Sequence, residues 1–114
     1  MKDVKELVGV YGTLKQGKHN HFLMGKSKYL GNGFIEGIGV TDSDSFPYAY
    51  EVKGAKVRVE MYEVEKPIMS RLDTLEGHPI WYERKVFNVS GKDVWVYLNE
   101  KESGKHSILE SGIW

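Results

Sequence analysis

Residues 8–17 read Val-Gly-Val-Tyr-Gly-Thr-Leu-Lys-Gln-Gly, an apolar run that ends in a glycine-containing loop. The apolar part, residues 7–11, predicts a short buried strand. Gly12 and Gly17 then permit positive φ and a close approach of other groups to the backbone. Successive backbone N–H groups of such a loop can face a cleft and bind anions or polarised oxygens. The pattern is equally typical of an ordinary strand-to-helix turn, so the rest of the sequence has to distinguish the two.

Apolar and glycine patterns further along predict five more strands. Residues 55–62 alternate between apolar and polar side chains, as a half-buried strand does. Lys53-Gly54 predicts a tight connection to the strand before it. Ser90-Gly91-Lys92 is typical of a hairpin turn, and the glycines within residues 28–40 indicate a bent or bulged strand. The predicted strands cover residues 7–11, 28–40, 46–52, 55–62, 81–89 and 93–98.

Two short helices complete the predicted elements. The first covers residues 20–25, with Asn20 as its expected N-cap. The second opens at Pro67 and stops before Gly77. Its apolar stripe consists of Ile68, Leu72 and Leu75.

These elements predict the α+β class in one domain over residues 1–114. Hairpin-like connections dominate, so the sheet is expected to be antiparallel or mixed. With this many bent strands it can curl into a small mixed or antiparallel β-barrel with flanking short helices.

The composition favours a small cytoplasmic protein. Sixteen Lys and Arg residues balance 16 Asp and Glu residues, so no basic surplus points to nucleic acid or an anionic membrane. The absence of cysteine excludes disulfides and thiolate metal sites, and it favours a reducing compartment. No long apolar stretch follows the N-terminal residues, so we expect neither a signal peptide nor a membrane span.

Glu76 is the acidic residue with the least ordinary predicted position. It is the last residue of the predicted helix, so the negative end of the helix dipole lies against its carboxylate. That contact, with the apolar Leu75 and Trp81 nearby in sequence, is expected to raise its pKa. A carboxylate with a raised pKa suits a general base near neutral pH. A solvated glutamate at a helix end is the alternative interpretation.

Three other patterns invite a ligand-binding interpretation. Residues 12–18 have the spacing of a phosphate loop, but His19 stands where that loop has Ser or Thr. His19 and His21 lie at a predicted helix start with too few partners, so we expect no metal site. Tyr82 and Arg84 share one face of a predicted strand. There Arg84 could hold a substrate carboxylate or satisfy a structural acid.

Two blocks of the sequence are similar to signatures of the γ-glutamylcyclotransferase-like (AIG2-like) family. The first block is Val10-Tyr11-Gly12-Thr13-Leu14-Lys15, then Gly17 and Asn20-His21. The second is Leu72-Asp73-Thr74-Leu75-Glu76-Gly77-His78-Pro79, then Tyr82 and Arg84. Both are most similar to the γ-glutamylamine cyclotransferase branch, and the resemblance continues to the terminal Ser111-Gly112-Ile113-Trp114.

The resemblance implies a small barrel and the release of a γ-glutamyl group as 5-oxoproline, together with a free amine or amino acid. It places Glu76 at the catalytic position. The expected substrate-binding residues are Tyr11, Gly12, Thr13, Leu14 and Tyr82. Neither a metal nor a cofactor is implied, and the expected partner is a small γ-glutamyl compound rather than nucleic acid or a membrane. A non-catalytic small-molecule binding module on the same fold is the alternative.

Overall fold

The first predicted strand, β1 (Lys5–Val10), is the central strand of a five-stranded sheet with the order β2–β3–β1–β5–β4. The structure is a computed structural model that describes residues 5–42 and 47–114. The remaining elements are β2 (Lys28–Val40), β3 (Ala49–Glu65), α1 (Lys66–Glu76), β4 (Glu83–Val89) and β5 (Lys92–Leu98), with 3₁₀ turns at His21–Met24 and Glu100–Glu102. β1 and β5 are parallel and the other neighbours antiparallel, so the predicted α+β class with a mixed sheet is confirmed.

One long strand replaces two predicted ones. β3 runs from Ala49 to Glu65, so the predicted break at Lys53-Gly54 between strands over residues 46–52 and 55–62 is wrong. Phe46, where the earlier strand was expected to begin, lies outside the described residues.

A wide bulge explains why this part of β3 resembles a turn in the sequence. The ladder between β2 and β3 passes from the residue pair 36/56 to the pair 38/51, so residues 52–55 lie opposite Gly37 alone. Gly37 and Gly54 have φ values of 90° and 86°, which glycine adopts without strain. The glycines thus bend a paired strand instead of ending it, and the predicted bulge within residues 28–40 is confirmed.

The sheet is curled but not closed. β2 and β4 are its edge strands, and no ladder joins them within the described residues. The two edges nevertheless touch, because a Cβ built on Gly33 of β2 would lie 2.5 Å from Cγ1 of Val89 on β4. The predicted barrel is therefore a curled sheet. Its apolar interior includes Ile35, Val57, Val59, Val94 and Val96.

Helix α1 packs on the opposite face of the sheet. Its buried side chains are Met69 and Leu72, which join Val8 and Val10 of β1 in a second apolar cluster. The predicted stripe is thus partly wrong: Leu72 is buried, but Leu75 remains 41% exposed because it borders a cavity. Within the described ranges, no helix has the length and apolar character needed to cross a membrane.

A tight turn separates α1 from β4. The backbone N–H groups of Ile80 and Trp81 both donate to the carbonyl of Gly77, at 2.8 and 2.9 Å. β4 therefore begins at Glu83, two residues later than predicted, and Trp81 is an exposed turn residue. This turn places the end of α1 beside the loop that follows β1, where the candidate site lies.

Candidate active site

A cavity of about 170 Å³ lies between the loop after β1 and the end of α1. Its base is formed by the last residues of β1, and its walls come from the loop, from α1 and from tyrosines on either side. The lining residues are Gly9, Val10, Tyr11, Gly12, Thr13, Leu14, Asn20, Pro47, Leu75, Glu76, Tyr82 and Tyr97. All six residues predicted for the site are among them, although Leu14 and Glu76 are far apart in the sequence.

Glu76 is the acidic residue of this cavity. It is the last residue of α1, and its side chain is partly buried. Burial raises the pKa of the Glu76 carboxyl from 4.5 to about 7. The direction of this shift agrees with the prediction, and its cause is the loss of solvent around the carboxyl. Within residues 5–42 and 47–114, no group donates a hydrogen bond to this carboxylate.

The loop after β1 supplies backbone donors on the facing wall. Within the described residues, no hydrogen bond uses the N–H groups of Gly12, Thr13 or Leu14. The next N–H, that of Lys15, closes a turn onto the carbonyl of Gly12 at 3.0 Å. Gly12 also packs closely, since a Cβ there would lie 2.8 Å from Cγ of Pro47. The described part of the chain therefore leaves three consecutive backbone donors without a partner beside the cavity.

Tyr11 lines the cavity, but its hydroxyl group serves the fold. The hydroxyl donates to the carbonyl of Tyr97 at 2.8 Å and accepts from the N–H of Ala49 at 3.1 Å. It thereby ties the end of β1 to β5 and β3. Burial raises the pKa of Tyr11 well above its usual value, so the hydroxyl stays protonated. Tyr11 is one of the predicted substrate-binding residues. Because its hydroxyl is already bonded within the fold, only its ring and its backbone can contact a substrate.

Tyr82 stands close to Glu76 on the cavity wall. Its backbone N–H donates to the carbonyl of Glu76 at 3.2 Å, and its hydroxyl lies 3.4 Å from the carbonyl of Pro47. Burial and then the charge of Glu76 raise the pKa of Tyr82. The hydroxyl is therefore a neutral donor in the physiological range.

Asn20, the predicted N-cap of the first short helix, lines the cavity. It makes no capping hydrogen bond. Instead its Nδ2 donates to Oγ1 of Thr13 at 3.0 Å, and its backbone N–H donates to the carbonyl of Thr13 at 3.0 Å. Asn20 thus fixes the conformation of the loop at Thr13. The sequence signal that could have identified Asn20 as a site residue is its place in the first block, next to His21.

Arg84 does not reach the cavity. Its Nε lies 3.0 Å from Oδ1 of Asp73, and its guanidinium group stacks over the ring of Trp95 at 4.4 Å. Of the two interpretations left open for Arg84, the structure supports the one in which it satisfies a structural acid.

Lys18 and His21, which belong to the other two candidate ligand-binding patterns, have structural partners. A phosphate loop requires an α-helix directly after it. Here the chain enters the short 3₁₀ turn His21–Met24 instead. Lys18, the lysine of the spacing, lies over the ring of Trp114 at 4.7 Å. Nδ1 of His21 bonds the carbonyl of Leu14 at 2.8 Å. Among the described residues, no three His, Asp or Glu side chains converge as a metal site would need.

We compared the chain with known protein families and structures. The family model described as gamma-glutamyl cyclotransferase, AIG2-like, matches residues 8–114. The chain belongs to this family. The match includes both sequence blocks and every residue that lines the cavity.

Individual relatives of this γ-glutamylcyclotransferase family member agree in length and fold. A protein of Methanocaldococcus jannaschii, provisionally named a gamma-glutamylcyclotransferase, is 35% identical over 94% of this chain and 93% of its own length. The crystal structure of an uncharacterised protein from Pyrococcus horikoshii has a TM-score of 0.83 at 29% identity, covering 95% of this chain and 88% of that one. An AIG2-like protein of Mus musculus shares the fold, with a TM-score of 0.84 at 24% identity, covering 96% and 88% of the two chains.

Proposed function

We propose that this protein converts a γ-glutamyl amine or γ-glutamyl amino acid into 5-oxoproline and a free amine, with Glu76 as general acid and base. The observation that carries the proposal is a carboxyl whose pKa is raised to about 7, placed in one cavity with three backbone N–H groups that have no hydrogen-bond partner among the described residues. Membership of the γ-glutamylcyclotransferase family supports the reaction class.

The reaction is an intramolecular aminolysis. The α-amine nitrogen of the glutamyl group attacks the γ-carbonyl carbon, a five-membered ring closes, and the bond from that carbon to the leaving nitrogen breaks. Overall the α-ammonium loses two protons, and the leaving nitrogen gains two and departs as an ammonium. Because both reacting groups belong to one molecule, holding the substrate in a bent conformation supplies much of the rate.

Glu76 is suited to carry a proton in this sequence. With a pKa of about 7 it is partly ionised at neutral pH, so it can accept a proton from the α-ammonium and then donate it to the leaving nitrogen. Tyr82, adjacent on the wall, remains a neutral hydrogen-bond donor to substrate. No oxidant or cofactor is required, because no electron leaves the substrate.

The loop is suited to stabilise the developing oxyanion. Attack on the γ-carbonyl places negative charge on its oxygen, and backbone N–H groups fixed in advance stabilise such charge. Gly12, Thr13 and Leu14 offer these donors. Thr13, held by Asn20, adds a hydroxyl, and Tyr11 and Leu14 shape the apolar part of the cavity. A location in the cytoplasm remains a prediction from the cysteine-free composition.

The test is a 5-oxoproline assay over a panel of γ-glutamyl amines and γ-glutamyl amino acids. We expect turnover of at least one compound without added metal or nucleotide. Saturable binding of panel compounds with no 5-oxoproline formed would instead favour the non-catalytic binding module. Formation of free glutamate in place of 5-oxoproline would contradict the intramolecular mechanism.

A further inference from the structure

Asp73 joins α1 to the two strands on one side of the sheet. Its Oδ1 accepts a hydrogen bond from the hydroxyl of Tyr97 at 2.6 Å and lies 3.0 Å from Nε of Arg84. Tyr97 on β5 and Arg84 on β4 are direct partners in the antiparallel ladder, so neighbouring strands direct their side chains to one oxygen. The Asp73 and Arg84 side chains are only 24% and 22% exposed, which limits screening by water.

The backbone of Asp73 closes the turn that contains Glu76. Its carbonyl accepts the N–H of Gly77 and, at 2.9 Å, the N–H of His78. Glu76 itself follows Asp73 by three residues and so projects from the same side of the helix. Asp73 therefore contributes both to the shape of the last turn of α1 and to the attachment of that turn to β4 and β5.

The contacts of Arg84 and Tyr97 support a holding role rather than substrate binding. Arg84 lies against Trp95 and outside the cavity lining. Tyr97 contributes to the lining, but its hydroxyl is committed to Asp73. Burial, and then the hydrogen bond to Asp73, raise the pKa of Tyr97, so this donor is retained at neutral pH.

We propose that Asp73 is a positioning residue for Glu76: together with Arg84 and Tyr97 it holds the last turn of α1 against β4 and β5, so that the Glu76 carboxylate stays inside the cavity. The catalytic consequence rests on the proposed function, whereas the geometric consequence does not.

The titratable groups facing Glu76 make its own titration a measure of its position. Tyr11 of the loop, Tyr82 of the turn before β4 and Tyr97 of β5 face Glu76. Burial raises the pKa of each of these tyrosines, and the charge of Glu76 adds to the shift. All three are neutral across the range in which Glu76 titrates. A lower pKa of Glu76 in a variant would therefore report renewed contact with water.

The experiment compares Tyr97→Phe and Asp73→Ala with a matched control. Tyr97→Phe removes one hydroxyl and keeps the ring in the cavity wall. Asp73→Ala removes both the acceptor of the Tyr97 hydrogen bond and the ion-pair partner of Arg84. If Asp73→Ala fails to fold, Tyr97→Phe alone carries the test. The control is Glu51→Gln, which breaks the exposed ion pair of Glu51 with Lys85 on β4 at 3.3 Å and touches neither α1 nor the cavity.

Two readouts are measured, steady-state kinetics across pH and the ¹³C resonance of the Glu76 carboxyl. We expect Tyr97→Phe to lower kcat by about tenfold to a hundredfold, the scale of a displacement near 1 Å, with a smaller change in KM. In both readouts the titration of Glu76 is expected to move from near 7 towards its ordinary value of 4.5. Glu51→Gln should match the wild type in both.

The outcomes separate this inference from the proposed function. Unchanged titration of Glu76 in the folded Tyr97→Phe protein would overturn the positioning role, even if its melting temperature falls. A wild type that forms no 5-oxoproline would overturn the proposed function alone. In that case a shifted Glu76 resonance in Tyr97→Phe would still support the positioning role.

Discussion

At the scale of single residues, Glu76 acquires its chemistry from where its side chain is buried. The residue ends a helix and is followed by glycine, a context in which glutamate is commonly solvated and ordinary. Here the carboxyl enters a cavity without a hydrogen-bond donor from the described residues, and burial raises its pKa to about 7. Because burial destabilises the ionised form, the carboxyl binds its proton more tightly. A general base near neutral pH requires this higher proton affinity.

Replacing Glu76 by glutamine should abolish most of the turnover and leave the fold intact. Glutamine has nearly the same shape but cannot carry a proton, and loss of a general base typically costs about a hundred- to ten-thousand-fold in rate. Initial rates of 5-oxoproline formation test this, with Glu83→Gln as the control because Glu83 is exposed at the start of β4. A Glu76→Gln enzyme that keeps more than about a tenth of the wild-type rate would exclude Glu76 as the base.

The same residue should make stability depend on pH in an unusual direction. The folded state holds the Glu76 proton up to about pH 7, whereas the unfolded chain releases it near 4.5. Between these values the folded state binds more protons, so its stability falls as the pH rises. The melting temperature of Glu76→Gln minus that of the wild type should therefore be small below pH 4.5, grow with pH and level off above pH 7. Two parallel curves would contradict the raised pKa.

At the scale of elements, the end of α1 and the turn after it determine where Glu76 lies. Gly77 ends the helix in the left-handed region, at φ 65° and ψ 36°. Its missing side chain also makes room for Trp81, because a Cβ would lie 2.6 Å from Cδ1 of that ring. The helix end thus contacts the indole of Trp81, most of which remains exposed.

Gly77→Ala should therefore destabilise the protein more than an alanine substitution at a glycine that has a similar positive φ but no close neighbour. A non-glycine residue in the left-handed region costs about 1–2 kcal/mol, and the contact with Trp81 adds to that. Gly104→Ala is the matched control, since Gly104 has φ 80° with nothing within 4 Å of a built Cβ. Urea denaturation measures both. Equal losses in the two variants would mean that Trp81 moves aside freely.

At the scale of the whole molecule, the curled sheet brings its two edge strands, β2 and β4, into contact. Gly33 on β2 and the buried Val89 on β4 are in contact without a hydrogen-bonded ladder between them. Val89 belongs to the apolar interior of the sheet, and β1 at the centre precedes the loop of the candidate site.

Gly33→Ala should be destabilising because it overpacks this contact. The added methyl group would lie 2.5 Å from the stiff, branched side chain of Val89, and overpacking typically costs about 1–3 kcal/mol. Val89→Ala alone should also destabilise, by leaving a cavity. The double variant should lose less than the sum of the two, with a coupling of about 0.5–3 kcal/mol in denaturant unfolding. Strict additivity would show that the edges do not rely on this contact.

Local patterns in the sequence were sufficient for most elements and for six residues that line the candidate cavity. The alternation along residues 55–62, the Pro67 and Gly77 boundaries of α1 and the Ser90-Gly91 hairpin depend on neighbouring residues, whose preferences act over a few positions. The two sequence blocks led to the family and to all six site residues that line the cavity.

Tertiary contacts decided the remainder. Lys53-Gly54 carries the signals of a turn, yet pairing with β2 keeps β3 continuous and makes those residues a bulge. Asn20 has the chemistry of a helix cap, but Thr13 lies within reach of its amide. Arg84 could have met a substrate carboxylate, but the β4–β5 register brings it to Asp73. The sequence by itself thus determined which residues are chemically able to act. The packing of distant segments decided which partners they meet and how much water they lose, because desolvation and hydrogen bonding depend on positions in space rather than in the chain.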